Sequence, residues 1–174
     1  MSKENLIKHL RTIKDFPKKG VLFRDITTLL QDGPCLHELS ELMYEMYRDK
    51  GITKVVGIES RGFIMGGAVA VRLGAGFVPA RKPGKLPGEV LQECYHKEYG
   101  DDCIQIHTGS INENDVVLIH DDLLATGGTM LAAYNLVQKF NPKRTYINFI
   151  IELDDMKGRT ELPQGTPVES LLHL

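Results

Sequence analysis

Apolar positions along the chain alternate between helical spacing and short continuous runs, and the order of these patterns sets the expected fold. Leu6, Ile7, Leu10 and Ile13 recur at helical spacing, so a first short helix is expected from a Ser2 cap to about Asp15, ended by Pro17 and Gly20. A second helix is better marked. Asp32 and Gly33 precede Pro34, whose missing N–H costs nothing in a first turn, and Leu36, Leu39, Met43, Met46 and Tyr47 then share one face until Gly51. Lys54 to Ile58 reads as a buried strand, Glu59-Ser60-Arg61-Gly62 as a polar turn, and about Phe63 to Leu73 as a helix rich in small residues. Gly76 to Ala80 reads as a second strand. Val116-Val117-Leu118-Ile119 is continuous rather than alternating, as expected of a parallel strand covered on both faces, and it is expected to enter a loop at Asp121. From Thr129, the residues Ala133, Val137 and Phe140 return to helical spacing until Asn141-Pro142, and Thr145 to Ile151 is again β-rich. Strands alternating with helices predict a doubly wound α/β fold with a mostly parallel sheet, which binds ligands at the carboxyl ends of its strands.

Composition narrows the class. A length of 174 residues suits one domain with one substantial core. Lys plus Arg number 21 against 23 Asp plus Glu, so the surface as a whole attracts neither nucleic acid nor an anionic membrane, and any anion site must be local. Cys35, Cys94 and Cys103 are an odd, widely spaced set without a CxxC pair, which predicts reduced thiols and no zinc site. No apolar run reaches membrane-spanning length, and the opening residues lack the plan of a signal peptide, so a cytoplasmic location is expected.

The chemistry concentrates after the third strand. Asp121 and Asp122 are followed at once by Ala125-Thr126-Gly127-Gly128-Thr129, where a helix begins. Adjacent glycines let successive N–H groups converge, and a helix N-terminus favours negative charge. The threonine hydroxyls add donors. Two carboxylates would repel a phosphate unless they face another group, and a ribose diol offers the hydroxyl donors that carboxylates accept. The plainer alternative is that the acids cap the helix and the glycines form an ordinary turn. A nucleotide P-loop fits poorly because no lysine follows the glycines, and the dinucleotide fingerprint lacks its spacing. Elsewhere, Pro83, Gly84, Pro87 and Gly88 break the stretch from Arg81 to Glu93. A loop of that length, roughly Lys82 to Tyr95, is expected to act as a lid.

The run from Val117 to Thr129 resembles the phosphoribosyl-diphosphate motif of type I phosphoribosyltransferases. Phe23-Arg24-Asp25-Ile26-Thr27, Gly57 to Phe63, Arg81 to Pro87 and Glu98-Tyr99-Gly100 resemble the adenine-specific branch of that family, over about Asp15 to Leu153. The resemblance implies transfer of ribose 5-phosphate from phosphoribosyl diphosphate to N9 of adenine, giving AMP and diphosphate with inversion at the anomeric carbon. It implies one domain with an N-terminal hood (residues 1–32) at the base site, magnesium held by substrate and water rather than by the protein, and a homodimer. Asp121, Asp122, Ala125, Thr126, Gly127, Gly128 and Thr129 would hold the sugar phosphate. Ser60, Arg61, Arg81, Lys82, Lys85 and Tyr99 would meet the diphosphate or close the site, with the Glu59–Ser60 peptide cis. Arg61, Asp121, Asp122 and Glu98 would be catalytic, Glu98 handling a purine proton. Leu22, Phe23, Arg24 and Leu153 would receive adenine. His120 departs from the family's small apolar residue at that place and is expected to be a satisfied core histidine. An oxopurine transferase or a phosphoribosyl-diphosphate sensor would share the motif; the sensor would need an added DNA-binding domain and a basic surface.

Overall fold

The computed structural model describes residues 3–97 and 100–174, apart from the side chain of Lys97. Five parallel strands form the central sheet: β3 (Lys54–Ile58), β4 (Gly76–Ala80), β7 (Val116–Leu124), β8 (Arg144–Glu152) and β9 (Val168–His173), in the order β4-β3-β7-β8-β9. The continuous apolar runs are explained by cover on both faces. On one face α3 (Gly33–Tyr47) and α4 (Gly62–Leu73) bury Leu39, Met43, Met65 and Val69 against Leu118 and Ile150. On the other, α5 (Gly128–Gln138) buries Met130, Ala133 and Val137 against Val117, Ile119 and Ile147. The chain passes outward from β3 to β4 and then returns to place β7 on the other side of β3. The crevice between β3 and β7 is therefore the switch point at which such sheets bind ligands.

Local signals hold where they are chemically specific. Asp32 caps α3 by accepting from the N–H of Cys35 at 2.9 Å, with Pro34 in the first turn. Gly74, at φ 66°, ends α4 in the left-handed region. Three expectations fail. The first helix, α1 (Lys3–His9), stops early: Arg11–Lys14 is β1, paired antiparallel with β2 (Leu22–Asp25), and Ile13 lies opposite Phe23. Ile13 had matched the helical spacing, but pairing with a strand beyond Pro17 decides its conformation. The Ser2 cap lies outside the described residues. A short helix, α2 (Thr27–Gln31), was not anticipated.

The second failure is the loop read as running to Tyr95. Its breakers lie in residues 82–89, but Val90–Lys97 is β5, paired antiparallel with β6 (Gly100–His107). The sequence between the strands carries no strong turn dipeptide, so the hairpin was not apparent. The third concerns the cysteines. Cys94 and Cys103 lie directly opposite each other in this hairpin and form a disulfide, while Cys35 is buried and free. A sequence separation of nine becomes adjacency only once the strands pair.

Candidate active site

The site grows from the carboxyl ends of β3 and β7. β7 does not end at Asp121 as expected; it carries both aspartates within the strand and continues to Leu124. Their side chains therefore project to opposite faces. Asp122 is buried and accepts from Arg61 Nε at 2.5 Å across the switch point, while Asp121 Oδ1 accepts from the N–H of Asp122 at 2.9 Å. Desolvation, and next the adjacent Asp122 charge, push the Asp121 carboxyl well above the usual carboxylate range. One carboxyl of the pair thus resists ionisation.

Ser60, Arg61, Lys82, Asp121, Asp122 and Thr129 come together around one cavity of about 310 Å³. The Glu59–Ser60 peptide is cis. Past Leu124 the chain turns through Ala125, Thr126 and Gly127 around a hollow of about 100 Å³ under the start of α5. Gly127 has φ 87°, and no side chain among the described residues caps this helix, so its first amides are available to an anion. The turn is backed by a residue that no motif pointed to: a Cβ on Gly158 would lie 2.0 Å from the carbonyl oxygen of Ala125, and one on Gly127 would lie 2.5 Å from that of Gly158. Backbone meets backbone there.

A second, more apolar cavity of about 650 Å³ opens on the other side of Ala125. Leu22, Arg24 and Leu153 line it with Val21 and Met156. Phe23 is not among its lining side chains, since alternation along β2 turns it the other way: its ring packs 5.1 Å from that of Phe16 and 6.0 Å from the Arg61 guanidinium carbon. Arg81 also stands apart from the smaller cavity. Its Nε donates to Glu59 Oε2 at 3.1 Å, and the same oxygen accepts the Lys82 N–H at 2.9 Å. Lys85 sits in the breaker-rich loop, its N–H on the Lys82 carbonyl. Glu98 and Tyr99 lie outside the described residues. Reading by sequence missed Tyr95 in the cavity wall and Asp102 behind it, because strand pairing rather than a motif brings them there, and it gave Glu59 of the polar turn no role.

His120 is wholly buried, with Nδ1 at 2.9 Å from Asn148 Oδ1 and Nε2 without a partner among the described residues. Burial pushes its pKa down to about 4, so the ring is neutral at ordinary pH. The expected core histidine is thus satisfied on one nitrogen only. One group of potential metal ligands among the described residues, Glu152, Asp154 and His173, lies off the smaller cavity, and Glu152 is already engaged by Arg159 and Ser170.

The carboxylate pair, the turn whose amides no described side chain caps, and the cavities near them have the chemistry to take a sugar phosphate. The model of the phosphoribosyl transferase domain matches residues 25–169. The chain belongs to that family. An adenine phosphoribosyltransferase of Bacteroides thetaiotaomicron is 64% identical over 174 residues, covering 100% of this chain and 99% of the relative. Among solved structures, the adenine phosphoribosyltransferase of Rhodothermus marinus superposes with a TM-score of 0.92 at 47% identity, covering 99% of this chain and 98% of that one. The Giardia lamblia enzyme complexed with 9-deazaadenine gives 0.94 at 42%, covering 100% and 98%. Family membership makes the protein a transferase.

Proposed function

We infer that the protein transfers ribose 5-phosphate from phosphoribosyl diphosphate to N9 of adenine, releasing diphosphate and AMP, as in purine salvage. The observation that carries this reading is the position of the Asp121–Thr129 segment, with a cavity holding Arg61 and Lys82 on one side and an apolar cavity on the other. A sugar phosphate seated on the segment would direct its leaving group into the first and meet its incoming base from the second.

Cleavage at the anomeric carbon builds positive charge on the sugar and negative charge on the diphosphate. Asp121 and Asp122 accept from the ribose hydroxyls and stand close to the positive charge. Arg61 and Lys82, with Arg81 and Lys85 nearby, stabilise the leaving group, and Ser60 adds a hydroxyl donor. Fixed charges of this kind, aimed where charge develops, lower a barrier without reorganising. The amides and hydroxyls of Ala125 to Thr129 hold the 5′-phosphate. Backbone groups of Leu22 to Arg24 face the adenine edge, Leu22 and Leu153 offer apolar surface to the ring, and Phe23 steadies Arg61 between the two cavities. Glu98 is assigned the purine proton and Tyr99 the closing of the site. Magnesium suits the donor chemistry, since substrate hydroxyls and diphosphate are hard oxygen ligands and the Asp121 and Asp122 carboxylates would accept from its waters. When bound, it would draw off negative charge from the leaving group.

The breaker-rich residues 82–89 and the β5–β6 hairpin are assigned as the lid that keeps water from the cationic sugar. Family resemblance supports a homodimer, and the exposed Ile64, Val71 and Phe77 offer apolar surface for it. No described helix is long and apolar enough to cross a membrane, and a cytoplasmic location suits a purine-salvage transferase. Incubation with magnesium, phosphoribosyl diphosphate and each purine base in turn is expected to yield AMP from adenine and no nucleotide from hypoxanthine, guanine or xanthine. A site built for an exocyclic amino donor leaves groups unpaired against a carbonyl. A nucleotide formed from an oxopurine instead would refute the base assignment, and tight binding with no product would favour a sensor.

A further inference from the structure

One carboxylate outside the lining of the smaller cavity ties together three segments distant in sequence. Asp102, on β6, accepts from the Lys82 ammonium and, on the same Oδ2 atom, from the Tyr95 hydroxyl at 3.1 Å. Tyr95 lies opposite Asp102 in the hairpin, and its hydroxyl oxygen accepts from Thr129 Oγ1 at 3.2 Å. The other Asp102 oxygen takes the N–H of Cys103 at 3.0 Å. Lys82, Tyr95 and Thr129 all line the cavity, whereas Asp102 does not. The Lys82 main chain is itself fixed on Glu59, so both ends of the lysine are held.

An ammonium on a four-carbon stem is a mobile point charge with three donors and no acceptor. It can keep one donor on Asp102 and turn the others to phosphate oxygens, so the carboxylate aims the lysine without removing it from use. The Tyr95 hydroxyl, by donating to Asp102, keeps its oxygen turned toward Thr129 in the first turn of α5. We propose that Asp102 is a positioning residue for the transfer, holding Lys82 and Tyr95 where the substrate's diphosphate lands and coupling the hairpin to the phosphate-binding turn. This rests on the reading of the smaller cavity as the sugar-diphosphate site.

The test compares Asp102→Ala, Asp102→Asn, Lys82→Ala and the two combinations of Lys82→Ala with an Asp102 variant. Calorimetric binding of phosphoribosyl diphosphate with magnesium is measured alongside KM for each substrate, and melting confirms that each variant is folded. Asp102→Ala is expected to weaken phosphoribosyl-diphosphate binding and raise its KM roughly tenfold, with the KM of adenine within about twofold, since the base cavity lies across Ala125. Asp102→Asn, which keeps an acceptor but loses the charge, falls between. In the Lys82→Ala background either change adds little, because the group it aims is gone. Losses that multiply in the double variants, an equal rise in the KM of adenine, or unchanged diphosphate binding in Asp102→Ala each overturn the proposal. Should Asp102→Ala fail to fold, the Asn variant completes the cycle and decides alone. Failure of the adenine reading is distinguishable: the unmutated protein would bind phosphoribosyl diphosphate yet form no AMP.

Discussion

Replacing Asp121 by Asn is expected to lower transfer by roughly a hundredfold or more while leaving the melting temperature unchanged or raised. The loss follows from removing a preorganised charge beside the developing sugar cation, a change that typically costs on the order of 10²–10³ in rate. The gain in stability follows from the surroundings of the Asp121 side chain. The Asp121 carboxyl is desolvated and sits beside a second carboxylate that is already paired with Arg61. Its folded form therefore holds a proton more tightly than the unfolded chain does, so the penalty for the charged form is present at neutral pH and vanishes in acid. The advantage of the Asn variant in melting should accordingly shrink as pH falls. Asp122→Asn should lose comparable activity without that gain, since it takes the negative charge out of the contact to Arg61. Melting curves across pH, together with steady-state rates, check both; an Asp121→Asn protein that melts well below the parent at neutral pH would show that the pair is structural instead.

Gly158→Ala is expected to be nearly as damaging, although Gly158 lies far in sequence from the phosphate-binding turn. The added methyl would fall 2.0 Å from the Ala125 carbonyl oxygen and 3.0 Å from Leu124 Cδ1, and a backbone oxygen cannot swing aside as a side-chain end can. Either residue 158 or the turn must move. Overpacking of this kind costs roughly 1–3 kcal/mol, and an ångström-scale shift of groups that position a substrate costs about 10²-fold in rate. A lower melting temperature and a fall of that order in kcat/KM are therefore predicted together. Gly67→Ala makes the same chemical change where nothing lies within 4 Å, inside α4, and should be neutral or stabilising by roughly 0.5–1 kcal/mol. Equal behaviour of the two variants would mean that the turn is not braced by Gly158.

The comparison of Gly127 with Gly158 shows what sequence reading reaches. Gly127 belongs to a local constellation of acids, glycines and threonines whose chemistry is visible without a fold. Gly158 matters only because a segment after β8 presses against that turn. β3, β4 and α3 were legible because continuous apolar runs, a proline in a first turn and an aspartate cap are local causes. The hairpin was not, because β5 and β6 stabilise each other across a connection without a strong turn signal. With it were hidden the Cys94–Cys103 bond and the clustering of Tyr95 and Asp102 around Lys82. Ile13 is the converse case: it fitted a helical period, and a partner strand overrode it. The position of Asp121 and Asp122 was right in order along the chain but not in element, since the strand runs through them; that is why they point to opposite faces, one toward Arg61.

The most direct measurement is a crystal structure with AMP bound. The ribose hydroxyls are predicted to lie within hydrogen-bond distance of the Asp121 or Asp122 carboxylates, the 5′-phosphate on the amides from Thr126 to Thr129, and the purine in the cavity lined by Leu22 and Leu153. A nucleotide lodged anywhere else, with that turn empty, would contradict the account.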